Sequence, residues 1–304
     1  MGAGLLSACS SSAPASTTST TAQVGPSLLV TLEPTAGSGA ATTALSAAVG
    51  IFERRASGLG IANDVNVSTS NNTVVLDLRG SRARSDLAEL DQAAQLYFRP
   101  VIAAGPASSE RGQATPIPPN IVNLVPAIYR FTSAGWVSGT YTPPPAWSGL
   151  ARYATTRASQ DTSGSVPVLI DDPNDEYGTR LLLGPAVATG DIVSAAKAIR
   201  LQTGEWVISA SLTRPGTTLF NDAASEYDHE PLANDFSGQG AGCQIDVACL
   251  VDAPVIEATD FSTGIQVSGG GTGFTQQQAQ SLALVLNSGA LPVQLHVVST
   301  QTSH

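Results

Sequence analysis

Apolar residues near the start of the folded region follow two periods in turn. Leu28 to Leu32 is a β-type run, after which Leu45, Val49, Phe52, Ala56 and Leu59 recur at steps of three and four. That spacing puts one apolar stripe on a helix that Gly58 and Gly60 would end. Val65 and Val67 then alternate with polar residues, Asn71-Asn72 supplies a turn signal, and Val74, Leu76 and Leu78 alternate again. Leu87, Leu90 and Ala94 mark a second short helix leading into a strand from Leu96 to Ile102. The alternation predicts a two-layer α+β sandwich.

From Pro106 the pattern breaks. Pro116, Pro118, Pro119 and Pro143-Pro144-Pro145 are interleaved with Trp136, Tyr141, Trp147 and Tyr153 among Ser, Thr and Gly. Prolines cannot donate to sheet ladders, so 106–179 reads as a connector with a few ordered patches. Its aromatics either form a recognition surface or, as the simpler reading, pack locally on the domain. A second α+β unit follows. Thr189 is placed to cap a helix whose face carries Ile192, Ala196 and Ile199, while Trp206, Ile208, Ala210 and Leu212 alternate as a strand with Trp206 in the core. Leu219, Phe220 and Ala223 predict another helix, and Cys243 to Ile256 a strand pair. Last, Thr275 and Gln278 form a capping box ahead of the stripe Ala279, Leu282, Ala283 and Leu286, Gly289 stops that helix, and Val293, Leu295 and Val297 alternate as a strand.

The 304 residues leave room for two modest domains, and no apolar run is long enough to cross a bilayer. A net charge of −10, with Lys197 the single lysine, argues against nucleic acid and against an anionic membrane surface as partners. Membrane attachment would then need a covalent anchor or a span missing from this sequence. Leu6-Ser-Ala-Cys9, followed by the Ser/Thr/Ala-rich stretch from Ser10 to Ala22, resembles a bacterial lipobox. The reading therefore expects lipidation at Cys9 and a true start upstream of Met1, against the alternative of an ordinary cysteine in a tail. With Cys9 lipidated, Cys243 and Cys249 remain as an even pair suited to an oxidising compartment. In one strand they would lie about 20 Å apart, whereas bridged α-carbons lie roughly 4–7 Å apart, so a disulfide requires a turn between them. Two buried free thiols are the alternative.

Catalytic chemistry finds little support. Ser194 and Lys197 satisfy the S-x-x-K spacing of serine acyl enzymes, but the K-T-G strand such enzymes need is impossible with one lysine, so the pair reads as helix surface. Asp171-Asp-Pro-Asn-Asp-Glu176 crowds carboxylates without the glycine and glutamate positions of a Ca²⁺ loop. His229 in Tyr227-Asp-His-Glu230 and the scattered His296 and His304 lack partners at metal-ligand spacing, and Gly269-Gly-Gly-Thr-Gly273 is not followed by a lysine. No enzyme activity and no cofactor are expected.

Five phrases in register carry a more specific message. They are Ile51-Phe-Glu-Arg-Arg-Ala-Ser-Gly-Leu-Gly60, Leu96-Tyr-Phe-Arg-Pro-Val101, Leu181-Leu-Leu-Gly-Pro-Ala-Val-Ala-Thr-Gly-Asp191, Asp252-Ala-Pro-Val-Ile256 and Phe274-Thr-Gln-Gln-Gln-Ala-Gln-Ser-Leu-Ala-Leu-Val-Leu-Asn-Ser-Gly-Ala-Leu-Pro-Val-Gln-Leu295. Together they resemble the first exported (P1) domain of the SecD family, whose membrane spans have no counterpart here. The resemblance implies an α+β fold: a ferredoxin-like, sequence-discontinuous base with a smaller α+β head inserted into it. The boundaries expected are a tail at 1–24, base at 25–105, connector at 106–179, head at 180–271 and a closing helix and strand at 272–304 that fold back onto the base. Where the family has a tight Asp-Gly type turn, this chain reads Ile245-Asp-Val-Ala248, so a Cys243–Cys249 bridge would close a hairpin that lost its turn residues. The function implied is an extracytoplasmic, membrane-anchored binding module that assists Sec-dependent export by transient contact with unfolded or translocating polypeptide and with Sec translocon components. The rival is a cell-envelope interaction protein that reuses the fold for an unrelated ligand.

Overall fold

The computed structural model describes residues 26–34, 42–90, 95–106, 115–157, 160–161, 164–172, 180–237, 249–269, 273–289, 291–293 and 295–303. β1 (Ser27–Pro34) is followed by α1 (Thr42–Gly58), the hairpin β2 (Val65–Ser70) and β3 (Thr73–Arg79), and α2 (Ala83–Leu90). Asn71 and Asn72 both take positive φ, at 48° and 65°, which is the two-residue turn whose twist suits a hairpin. The last strand of the chain, β15 (Leu295–Ser303), completes an antiparallel sheet in the order β15-β1-β3-β2. Leu28, Val30 and Leu32 of β1 and Val74, Leu76 and Leu78 of β3 bury one sheet face against Leu45, Ala48, Phe52 and Ala56 of α1 and Leu90 of α2. This is the two-layer α+β base the patterning predicted.

The strand expected at the end of the base's first part, Leu96 to Ile102, belongs elsewhere. β4 (Gln95–Gly105) is buried along nearly its whole length on both faces. Such a strand needs cover on both sides, and the base sheet offers cover on one only. β15, exposed or half-exposed throughout, suits the open edge that β4 cannot. The segment after β4 holds α3 (Ile121–Leu124) and the small hairpin β5 (Trp136–Val137) and β6 (Thr140–Tyr141), then leads through β7 (Val168–Asp171) and β8 (Arg180–Leu183) to β9 (Ala188–Thr189). β4 pairs with β8 through its second half. Through its first half it pairs with β12 (Leu232–Ser237), and β13 (Cys249–Asp252) extends the sheet beyond β12. Trp147 and Tyr153 are buried with Ile121 and Leu150 against Ala103, Leu169 and Leu182, while Trp136 and Tyr141 are half-buried. Trp147, Tyr153 and, against the cluster that holds Val101 and Ala104, Tyr141 thus pack on the sheet, while Trp136 lies against His229.

A third sheet runs β10 (Val193–Arg200), β11 (Trp206–Leu212) and β14 (Ile265–Val267), with α4 (Arg214–Glu226) and α5 (Gln276–Ser288) beside it. The helix expected over Ile192 to Ile199 is therefore a strand. Gly204, at φ 94°, turns the chain so that seven residues of β10 pair with β11, and this ladder outweighs an apolar spacing set largely by small alanines. A bulge at Ser194 shifts the register between Val193 and Ala195. α4 and α5 form as predicted, α5 with its Thr275–Gln278 capping box and α4 with Gly216 N–H donating to Thr213 Oγ1 at 3.0 Å. The position of α5 differs from expectation. Its Ala279, Leu282, Ala283, Val285 and Leu286 join Ile192, Ala196, Ile208 and Ala210 in the largest core, so it covers β10 and β11 and meets the base at α1. Only β15, of the two closing elements, completes the base. Among the described residues, no helix is long and apolar enough to cross a membrane.

Candidate functional site

Three buried arginines, Arg55, Arg99 and Arg180, tie these layers together. Arg55 lies in the apolar stripe of α1, and its guanidinium donates to Leu90 O at 2.7 Å, Ser288 Oγ at 3.1 Å and Gly289 O at 3.3 Å. Arg54 donates from Nε and Nη2 to Ser288 O. Two cations thus sit on the carbonyl end of α5, where the helix dipole and the unpaired carbonyls favour positive charge. Arg180 donates to Pro106 O, Tyr153 O and Leu150 O, which fastens the connector to β8. Burial lowers the Arg180 pKa from its ordinary value, and the Asp171 carboxylate opposes that effect.

Arg99 is the most heavily engaged. It bonds Asp235 at 2.9 Å and Asp161 through separate nitrogens, and its Nη1 donates to the carbonyls of Gly164, Val166 and Gly184. All three charged side chains are fully buried. One cation faces two carboxylates, and Asp161 Oδ2 and Asp235 Oδ1 have no donor. Burial, followed by repulsion from Asp161, pushes the Asp235 carboxyl well above the usual range and favours its protonated form. The Tyr97 ring lies under the Arg99 guanidinium, 4.7 Å from its centroid, and a Cβ on Gly164, at φ 64°, would come within 2.8 Å of that ring.

A cleft of about 960 Å³ lies where the base meets the β10–α5 face. Arg54, Leu59 and Arg82 line one wall, Ala196 to Ala198 of β10 another, and Gln280 and Asn287 of α5 a third; among the described residues, none that lines it is acidic. Along this cleft runs the outer edge of β10, which no strand covers among the described residues. Asn287 closes one position of that edge: Ala196 N–H donates to its Oδ1 and its Nδ2 donates to Ala196 O, both at 2.8 Å.

Of the residues singled out in the sequence, Cys9 and Cys243 lie outside the described residues, as do 173–176 of the acidic run and 270–272 of the glycine run. Cys249 opens β13 opposite Phe236. Ser194 and Lys197 sit on β10, where three residues span about 10 Å and the one-turn proximity of a helical S-x-x-K is lost. Trp206 is half-buried at the edge of the main core. His229 pairs with Asp228 at 2.9 Å and lies against Trp136, and His296 is exposed on β15. The buried arginines and Asn287 went unrecognised, although Arg54, Arg55, Arg99 and Asn287 stand inside the shared phrases and Arg180 immediately precedes one.

Comparison with known proteins matches the description "SecDF, P1 head subdomain" to residues 168–293, which takes in β7 and α5 as well as the 180–271 expected of the head. A protein translocase subunit SecD from Acetobacter pasteurianus is 28% identical over 174 residues, which is 57% of this chain and 27% of that protein. The SecD of Koribacter versatilis is 31% identical over 132 residues, 43% of this chain and 22% of that one. The chain thus spans about a quarter of the length of these curated relatives. A solved structure of "a membrane component SecDF that enhances protein export" superposes with a TM-score of 0.55 at 21% identity, covering 89% of this chain and 98% of that one, a likeness of fold. By the family model over residues 168–293, by modest identity to two SecD proteins and by likeness of fold, the chain is similar to the P1 domain of the SecD family.

Proposed function

We propose that this domain works outside the cytoplasm in protein export, by holding an extended, unfolded polypeptide transiently, and that lipid on Cys9 attaches it to the membrane. The observation that carries the reading is the P1 head match over 168–293. It is supported by the open edge of β10 beside a cleft, because an exposed edge is a template for an extended chain of almost any sequence. Affinity for a flexible client is modest, since ordering it opposes binding and few aromatic anchors face the cleft. Sec translocon components are the expected neighbours. No nucleotide or cofactor takes part.

Fluorescence anisotropy of a labelled, reduced and unfolded secretory protein titrated with the full chain tests this. Saturable, nucleotide-independent binding that a folded version of the same client does not show is the expected result. No binding at any accessible concentration would favour the cell-envelope ligand instead. For Cys9, intact-mass measurement of protein recovered from membranes is decisive: a mature form starting elsewhere, or unchanged mass and membrane partitioning in Cys9→Ala, removes the anchor.

A further inference from the structure

We infer that the outer edge of β10 takes its polypeptide as an added strand, from Ala198 towards Arg200, and selects segments that carry carboxylates. This rests on the reading that the domain binds extended polypeptide, and adds the place, the register and the chemical class. Asn287 shows how the edge is used. Its carboxamide makes on Ala196 the two hydrogen bonds that a neighbouring strand's backbone would make, so that position already holds a peptide-like group. Because both backbone groups of Ala196 turn outward, the alternation of an antiparallel ladder turns those of Ala198 and Arg200 outward too. Leu201 N–H, donating to Glu205 O at 2.8 Å, falls on the inward phase as this alternation requires. Asn287 thus marks where pairing stops, and the two following positions remain for an incoming chain.

Charge chooses the occupant. The chain carries 24 acidic and 14 basic residues, yet Arg54, Arg82 and Lys197 line the cleft and, among the described residues, no acidic one does. Arg82 has a carboxylate neighbour in Asp86 at 3.6 Å, and Arg54 is engaged with a carbonyl, which leaves its charge without an ion-pair partner among the described residues. Arg200 stands at the end of the open edge. Basic side chains on an edge strand ordinarily keep a second copy from pairing there. Two such edges side by side would gather the Lys197 and Arg200 charges of both copies along one seam, so the same charges that exclude self-pairing favour a strand bearing Asp or Glu.

The probes are three fluorescein-labelled 12-residue peptides of alternating Val/Thr with Glu, Ser or Lys, titrated by anisotropy alongside the unfolded client. The acidic peptide is expected to bind at least about tenfold more tightly than the basic one, with a preference that shrinks as salt rises. Ala198→Pro removes the outward N–H at an edge position that tolerates proline, and should weaken the acidic peptide and the client about tenfold with circular dichroism unchanged. Lys197→Glu leaves the backbone edge intact and should reverse the order of acidic and basic peptides. Equal binding of all three peptides overturns the charge selection, and client binding untouched by Ala198→Pro overturns strand addition, while both leave polypeptide binding standing. If Ala198→Pro instead abolishes a dimer of this chain seen by light scattering, the occupant is a second copy and the inference fails. No binding of client or peptides defeats this inference and the broader reading together.

Discussion

Arg99 balances two buried carboxylates, so the variants at this cluster should differ sharply. Arg99→Met leaves Asp161 and Asp235 buried with no cation and should destabilise by about 3–5 kcal/mol, read as a lowered urea midpoint. Asp235→Asn leaves one cation facing one carboxylate and should cost little at low pH. The pH dependence has a definite sign. The folded Asp235 carboxyl titrates above its unfolded value, so its contribution to stability is complete below about pH 4 and is lost as pH rises through the folded value. Asp235→Asn removes that loss, and its stability relative to the natural chain should improve from about pH 5 to pH 8. A constant difference across that range would mean Asp235 titrates normally. Little of this was legible beforehand. A lone arginine in an apolar run such as Leu96 to Val101 reads as surface on an edge strand, and its partners lie 62 and 136 residues away, in segments no local pattern connects to it.

At the scale of elements, the meeting of α1 with the end of α5 can be probed through Gly289. It takes φ 87° and ψ 163°, a conformation open almost only to glycine, and nothing lies within 4 Å of where a Cβ would stand. Gly289→Ala should therefore act through backbone strain alone, costing about 1–3 kcal/mol and raising amide exchange in the last turn of α5. Unchanged exchange there would show that the strain is relieved elsewhere. Elements whose own residues carry the pattern were legible: α1, α5 with its capping box, and the β2–β3 hairpin with its paired asparagines. β10 was not, because Ala195, Ala196 and Ala198 fit either period and the deciding partner, β11, begins beyond a glycine turn.

For the whole molecule, the shared phrases made the α+β class and the idea of base and head readable, but not which elements each owns. β4 lies between β12 and β8, and α5 lies over β10, so excising 180–271 would strip partners from both. That shortened chain should bind a hydrophobic dye and lose cooperative unfolding. Joining Leu90 to Leu291 by a short flexible linker instead removes β4 and α5 together with the head, and should leave a sheet that melts cooperatively by circular dichroism. Cooperative folding of the first and collapse of the second would reverse this assignment.

The pairing of β1 with β15 has a mechanical meaning. Ser27 stands opposite Ser303, their hydroxyls 2.7 Å apart, so the described chain enters and leaves the sheet side by side. Tension applied between two such ends does not shear the strands along their length; it opens them like a zip, loading one rung at a time. Stretched by its ends in optical tweezers, the protein should give way first at low force by peeling β15 from β1. The sheets around β4 and β10 should hold until a later and separate step.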